Sequence, residues 1–209
     1  MTEEIVGVRM TEETVERLKT EWFKRFDLIH DGHKTVPLSG LKCLELCQAL
    51  CCPHAKMRAM EPGEIPSTVV VLLPFEMEYL IATLGISADI FRRWPLDLAP
   101  GITIAIGMLD LGKPCPFLSD ALHCKIHFHK PLDCRTFPLL PFRDLRGNLD
   151  WQLGENCPSV DSLTPNFAEA VKGIWQDLYL SIPQSWWDLY AFADHWTGWP
   201  DPAEGRDAS

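Results

Sequence analysis

The first strong pattern in the chain is an apolar stripe near the N-terminus. Its members recur every three or four residues, and they are Val15, Leu18, Trp22, Phe23, Phe26 and Ile29. Thr11 is well placed to cap the start of a helix, and acidic residues follow it, where they suit the positive end of the helix dipole. The pattern predicts a helix that ends near Asp31 and Gly32, with its apolar stripe against the core.

Two apolar runs in the middle of the chain predict strands. Residues 67–73 form a β-branched run suited to a buried strand, and residues 102–109 alternate weakly between apolar and polar positions. The stretches 61–66 and 110–165 carry turn-forming residues and are predicted to be rich in loops.

Helical patterns lie between and after these strands. Pro74 suits the first turn of a helix that Gly85 closes. Ser87 is then expected to cap a second short helix, which continues through Trp94 and stops at Pro95.

The C-terminal part of the chain is helical and rich in tryptophan. Thr164 and Pro165 form a cap and a first turn, and Pro183 starts another helix. Five of the eight tryptophans lie between residues 175 and 199. We interpret them as aromatic packing of a helical hairpin against the domain; the alternative is a surface for a protein partner.

Together these patterns predict an α+β fold: a mostly helical, loop-rich single domain stapled by a cysteine-thiolate metal site. The predicted parts are a helical lead-in (1–40), a cysteine-cluster metal-binding domain (41–160), Trp-rich helices (161–199) and a polar tail (200–209). A helix over 41–52 is expected to face the 115–134 loops, with the terminal helices packed outside.

Charge and hydropathy exclude two classes of partner. The 209 residues carry a formal net charge of −10, which argues against nucleic acid because phosphate binding needs a basic face. No apolar run is long enough to span a bilayer, so no membrane partner is expected. The acidic start lacks the features of a secretory leader, which predicts a cytoplasmic protein.

The cysteines carry the clearest chemistry. In a reducing compartment, eight of them indicate metal binding more than disulfides or inert buried thiols. Three of them stand at i, i+4 and i+8 on one predicted helix face, and a fourth points away from it. We treat all eight as candidate metal ligands: Cys43, Cys47, Cys51, Cys52, Cys115, Cys124, Cys134 and Cys157.

The residues around these thiols suggest a supporting shell. Between residues 113 and 150 the acidic chain becomes locally basic, which suits a negatively charged metal–thiolate site. Arg135, Lys130 and His127 are the predicted donors around the ligands. His123, His127 or His129 could also replace a cysteine as a ligand. Zinc and iron–sulfur clusters both accept four thiolates, so the number of cysteines leaves the metal open between zinc and iron, including a 4Fe–4S cluster.

These motifs resemble a known family. The segments Cys115-Pro-Phe-Leu, Cys124-Lys-Ile-His and Pro131-Leu-Asp-Cys-Arg-Thr-Phe-Pro are similar to the motif of the YkgJ-type cysteine-cluster family, a zinc- or iron-chelating domain also called the CxxCxxCC family. Residues 74–91 resemble the middle helices of that family. His127 replaces the usual Tyr, Lys130 replaces the usual Arg, and the first cysteine group is more widely spaced. The resemblance covers about residues 40–160 and implies the metal domain.

Two functions remain open from the sequence. The first is a cytosolic metal-binding protein whose metal is held by cysteine thiolates and staples the fold. The second is an iron–sulfur oxidoreductase or a cluster-dependent protein-modifying enzyme, because some relatives are flagellin lysine N-methylases; this chain, however, has no Gly-x-Gly loop. Whether the chain is an enzyme is therefore left open.

Overall fold

The computed structural model describes residues 12–35, 69–110, 115–121, 123–144, 146–154, 157 and 160–192. The predicted 41–52 helix lies outside these ranges, and so do its four cysteines, Cys43, Cys47, Cys51 and Cys52. The tail at 200–209 lies outside them as well. The described residues form helices and antiparallel strands, so the fold is a mixture of α and β structure.

The described helices and strands alternate along the chain. The α-helices are α1 (Glu12–Thr35), α2 (Glu76–Leu84), α3 (Leu132–Thr136), α4 (Pro165–Tyr179) and α5 (Gln184–Phe192). The strands are β1 (Val69–Val71), β2 (Arg92–Ala99), β3 (Ile102–Asp110), β4 (Leu139–Arg143) and β5 (Leu149–Leu153). Single 3-10 turns lie at Ala88–Ile90, His127–His129 and Val160–Ser162. None of the described helices combines the length and apolar character that a membrane crossing needs.

Helix α1 confirms the N-terminal pattern and extends a few residues beyond its predicted end. Trp22 and Phe26 are buried, as the apolar stripe requires. His30, four residues after Phe26, lies on the same helix face and is also buried. The ring of Phe26 lies 5.2 Å from that of Tyr79 on α2, so the aromatic stripe holds the two helices together.

The main sheet contains three antiparallel strands in the order β1-β3-β2. Both predicted strands are confirmed, at Val69–Val71 and Ile102–Asp110. The helix predicted to run from Ser87 through Trp94 is wrong beyond its first turn. Ser87 does cap a 3-10 turn, but Arg92–Ala99 then forms strand β2. Pro95 is tolerated there because β2 is an edge strand, where a missing N–H breaks no ladder in the sheet interior.

The 110–165 stretch, predicted to be rich in loops, also contains an antiparallel hairpin formed by β4 and β5. The 61–66 stretch lies outside the described residues. Its turn is closed by Asp144, whose Oδ1 accepts the backbone N–H groups of Arg146 and Asn148 at 2.8 and 2.7 Å. Gly147 adopts the positive φ that this turn requires. A polar side chain that organises a turn in this way leaves little trace in the hydrophobic pattern.

The C-terminal helices form part of the core. As predicted, Thr164 caps α4 by accepting the N–H of Phe167 at 3.2 Å. Trp175 and Trp186 are fully buried, and Trp187 is 3% exposed. These three indoles are enclosed, so they do not offer a surface to a partner. The other tryptophans of this segment, Trp196 and Trp199, lie outside the described residues.

The indole N–H groups link these helices to the rest of the chain. Nε1 of Trp175 donates to Oγ1 of Thr136 at 3.2 Å, and Nε1 of Trp186 donates to the Leu72 carbonyl at 2.9 Å. A buried indole needs such an acceptor, and each bond fixes one helix against the segment that supplies it.

A close packing contact lies where α3 leads into β4. The backbone N–H of Gly154 donates to the Pro138 carbonyl at 2.7 Å, next to the buried ring of Phe137. A Cβ atom added at Gly154 would lie 2.6 Å from Cε2 of Phe137, so only glycine fits without moving the ring. Gly173 on α4 is different, because a Cβ atom there would meet nothing within 4 Å.

The two glycines therefore predict stability changes of opposite sign. Gly154→Ala should lower the free energy of unfolding by about 1–3 kcal/mol through overpacking. Gly173→Ala should raise it by about 0.5–1 kcal/mol, since alanine favours the helix. Urea denaturation followed by circular dichroism measures both changes. Equal stabilities for Gly154→Ala and the native chain would contradict the packing argument.

Candidate functional site

Two of the predicted ligands lie on one small hairpin, formed by residues 115–125. The Leu118 N–H donates to the Cys115 carbonyl at 2.9 Å, and the Lys125 N–H donates to the Phe117 carbonyl at 2.7 Å. Leu118 and Cys124 also face each other in an antiparallel bridge. The ring of Phe117 is buried in the core and fixes the hairpin to the domain. Cys115 and Cys124 are thereby brought together from positions nine residues apart in the sequence.

The surroundings of Cys124 show which groups act on its sulfur. Burial raises the pKa of the Cys124 thiol, and the charge of Cys115 raises it further, which places the two thiols within electrostatic reach. A hydrogen bond from the Ile126 N–H and the charge of Lys130 act in the opposite direction and favour the thiolate. An N–H donor and a cation are the groups expected around a sulfur ligand of a metal.

The other two described cysteines lie on separate elements. Cys134 is on α3, half-buried, and its charge helps to raise the pKa of Tyr190. Cys157 is buried in a turn after β5, where its N–H donates to the Gly154 carbonyl at 2.9 Å. Within the described ranges, no three or more His, Cys, Asp or Glu side chains are grouped so that they could hold a metal ion. The described thiols therefore assemble only part of the predicted ligand set.

Arg135, a predicted donor to the metal site, is buried and 4% exposed. Its Nη2 bonds to Nδ1 of His30 at 2.6 Å and donates to the Phe128 carbonyl at 2.8 Å. Because a guanidinium can only donate, Nδ1 of His30 is the acceptor, and the proton of this imidazole lies on Nε2. Burial lowers the pKa of Arg135 to about 10, while the charges of Glu76 and Tyr79 oppose that change.

Sequence reasoning missed His30. Its ring stacks on Tyr79, with ring centroids 5.4 Å apart and planes 8° apart, and it lies 5.1 Å from the ring of His129. Tyr79 in turn donates to Asp27 at 2.9 Å. His30 follows Phe26 by four residues on the buried face of α1, so the helical periodicity could have identified it.

His127 and Lys130 lie close to this arginine and are both half-buried. Burial lowers the pKa of His127, and the charges of Lys130 and Arg135 lower it further. Lys130 also acts on the Cys124 thiol, so it lies within electrostatic reach of both His127 and the 115–125 hairpin.

Glu76 joins the start of α2 to this region. Its Oε2 accepts the Leu73 N–H at 2.9 Å, and its Oε1 accepts the Leu132 N–H at 2.6 Å. Burial is the main cause that raises the pKa of this carboxyl from 4.5 to about 7, and the charge of Asp133 adds to it. The two backbone N–H groups and the charge of Arg135 lower the pKa but do not outweigh burial.

Asp133 forms a similar link on the other side of α3. Its Oδ1 accepts the Tyr190 hydroxyl at 2.8 Å, so α5 is joined to α3 through this buried pair. Burial raises the pKa of Asp133 to about 7, although the hydrogen bonds from Tyr190 and the Val71 N–H act to lower it. Both carboxyls resist ionisation because the core that surrounds them is apolar.

Glu76 predicts that stability falls as pH rises toward neutrality. A carboxyl whose pKa is higher in the folded chain than in the unfolded chain stabilises fully below 4.5, and this contribution is lost as pH rises through about 7. Between pH 5 and 8 the loss from Glu76 should be about 2–3 kcal/mol. Thermal or urea denaturation across this range should show a weaker pH dependence for Glu76→Gln than for the native chain.

The variant should also be less stable at pH 5, by about 1–3 kcal/mol, because an amide oxygen can accept only one of the two N–H groups. Glu169→Gln is the matched control, since Glu169 is exposed and should change neither quantity. An unchanged pH profile for Glu76→Gln would contradict the pKa assignment.

Comparisons with protein-family models, curated proteins and solved structures give no match for this chain. The candidate site therefore depends on the chemistry of the chain's own residues.

Proposed function

We propose that this chain is a cytoplasmic metal-binding protein that holds zinc or iron, including an iron–sulfur cluster, through cysteine thiolates. The observation that supports the proposal most is that Cys115 and Cys124 lie within electrostatic reach of each other on the 115–125 hairpin. Two thiols in electrostatic reach of each other are unfavourable once both ionise, and a metal cation between them removes that cost. When bound, the metal supplies thiolate coordination that staples the loops to the core.

The remaining ligands of the proposed site come from the other candidate cysteines. A structural zinc or an iron–sulfur cluster takes four ligands, and the hairpin supplies two of them. Cys134 and Cys157 are candidates from the described part of the chain. The rest are Cys43, Cys47, Cys51 and Cys52, which lie outside it. This division of ligands between the two cysteine groups follows the resemblance to YkgJ-type domains over residues 40–160, which belongs to the same proposal.

The hairpin also offers the supporting groups that such a site needs. The Ile126 N–H already points to the Cys124 sulfur, and Lys130 places a positive charge near it. Both groups favour the thiolate form, which is the form that binds a metal.

The proposal predicts unequal effects of single Cys→Ser variants. Loss of Cys115, Cys124 or Cys134 should abolish metal loading, whereas loss of at least one of Cys43, Cys47 and Cys51 should have a milder effect. On the helix that the sequence predicts for them, three sulfurs in a row on one face would not fit one tetrahedron. Anaerobic purification, metal analysis and a visible spectrum measure loading. Iron together with acid-labile sulfide identifies an iron–sulfur cluster, and zinc in a colourless protein identifies a structural zinc site.

Ser181→Ala is the control for these variants, because Ser181 lies in the turn between α4 and α5 and carries no thiol. It should load metal as the native chain does. Native protein purified without oxygen that holds no metal in stoichiometric amount, even after incubation with zinc or iron, would contradict the proposed function.

Metal removal should loosen the hairpin. Structural metal binding contributes folding free energy on the order of 10 kcal/mol in small zinc domains. We expect chelation to lower the melting temperature and to speed trypsin cleavage after Lys125, which is exposed on the hairpin. Cleavage after Arg146, exposed in the β4–β5 turn, serves as the internal control and should not change. An identical melting curve and digestion pattern for verified metal-free protein would count against a structural metal.

A further inference from the structure

Arg135 has hydrogen-bonding capacity that the fold does not use. All three of its guanidinium nitrogens are buried, and Nη2 makes both of the hydrogen bonds described above. Nε and Nη1 have no hydrogen-bond partner in the described part of the chain. A buried guanidinium keeps its charge at any physiological pH, so N–H groups left without an acceptor are costly. Such groups in a folded protein call for an acceptor from beyond the described residues, and a bound anion is one that suits a guanidinium.

The acidic groups nearby do not supply this acceptor. Both oxygens of Glu76 accept backbone N–H groups, and Oδ1 of Asp133 accepts the Tyr190 hydroxyl. Asp27, the next carboxylate along this side, accepts the Tyr79 hydroxyl. None of the described carboxylates forms an ion pair with Arg135.

Other donors gather around the same position. Lys130 and Arg135 both act electrostatically on His127, so the three basic side chains lie within electrostatic reach of one another. His127 and Lys130 are half-buried, whereas Arg135 is buried. The three side chains form a basic cluster in a chain whose net charge is −10.

We propose that Arg135, Lys130 and His127 bind the phosphate group of a small molecule. Together the three side chains offer a guanidinium, an ammonium group and an imidazole as donors. This set suits a phosphate dianion better than a carboxylate, because three phosphate oxygens can each accept from a different donor. Charge-assisted hydrogen bonds of this kind would satisfy the buried N–H groups of Arg135.

The site lies next to the proposed metal ligands. Lys130 acts on both His127 and the Cys124 thiol, so a phosphate bound there would neighbour the hairpin thiols. The substrate of the metal site would then be a molecule that carries a phosphate group, an inference that rests on the proposed function. Phosphate binding itself needs only the three basic side chains.

The test is titration of the full-length protein with inorganic phosphate by isothermal calorimetry, at constant ionic strength set with chloride. We expect saturable binding of one phosphate per chain and a rise in melting temperature, with acetate much weaker. A second titration uses glycerol phosphate, a phosphomonoester. If it binds more tightly than inorganic phosphate, the site is one for an organic phosphate; if it binds more weakly, the site is one for the free ion. No heat and no thermal shift beyond those of chloride would overturn the proposal.

Lys130→Gln and Lys125→Gln form a matched pair on the same segment. Lys130→Gln should weaken phosphate binding by about tenfold or more, since it removes a charged donor. Lys125→Gln removes the same charge from the exposed hairpin and should leave the affinity unchanged. Equal losses of phosphate affinity in the two variants would show that phosphate is attracted by positive charge in general, and they would overturn the proposed site.

Arg135→Lys and Arg135→Gln test the buried member of the basic cluster. Because the side chain also bonds to His30 and the Phe128 carbonyl, the glutamine variant could fail to fold, and Lys130→Gln then decides the question alone. Folded Arg135→Gln should lose phosphate binding, and Arg135→Lys should retain part of it. Native affinity in folded Arg135→Gln would overturn the proposal.

Metal content, measured in the same samples, separates the two proposals. A protein that binds phosphate but holds no metal rejects the proposed function and supports the phosphate site. A protein that holds metal but does not bind phosphate supports the proposed function and rejects the phosphate site.

Discussion

The buried carboxyl of Glu76 is the interaction on which the arrangement of the site depends. Its two oxygens accept N–H groups from Leu73 and Leu132, which are 59 residues apart in the chain. The Glu76 N–H also donates back to the Leu73 carbonyl at 3.0 Å, so the turn before α2 is closed from both sides. Within that turn Phe75 has a φ of 63°, a conformation that non-glycine residues rarely adopt, and its buried ring helps to offset the strain.

The short helix α3 is positioned by side chains from three other elements. Glu76 accepts its first N–H group, the Tyr190 hydroxyl donates to Asp133, and the Trp175 indole donates to Thr136. Five residues are too few for a helix to be stable alone, so these tertiary bonds are what define it. The same five residues contain Cys134 and Arg135. The C-terminal helices, which the pattern suggested as an outer layer, therefore help to orient the candidate site.

Periodicity predicted the elements that bury one continuous face, and it missed those held by polar contacts. The stripe of α1, the run of β1 and the capping of α4 by Thr164 were readable because each depends on local sequence. Strand β2, helix α3 and the β4–β5 hairpin were not, because edge position, buried carboxyls and the Asp144 turn decide them. Within the candidate site, the cysteines and Arg135 were visible as motifs. Glu76 was not, because a charged residue in a helix normally predicts solvent exposure. His30 was missed, although its position four residues after Phe26 places it on the apolar face of α1.

The chemistry of this region follows from an imbalance of buried charge. Burial raises the pKa values of Glu76 and Asp133 to about 7, so at neutral pH these carboxyls carry only part of their negative charge. The Arg135 guanidinium, by contrast, stays protonated even with its pKa lowered to about 10. The interior therefore contains a full positive charge near carboxyls that are partly neutral. An apolar core does not tolerate such an excess without a compensating anion. The proposed metal–thiolate site on the 115–125 hairpin and the proposed phosphate group near Lys130 and Arg135 would both be anionic, and the same imbalance would favour either one.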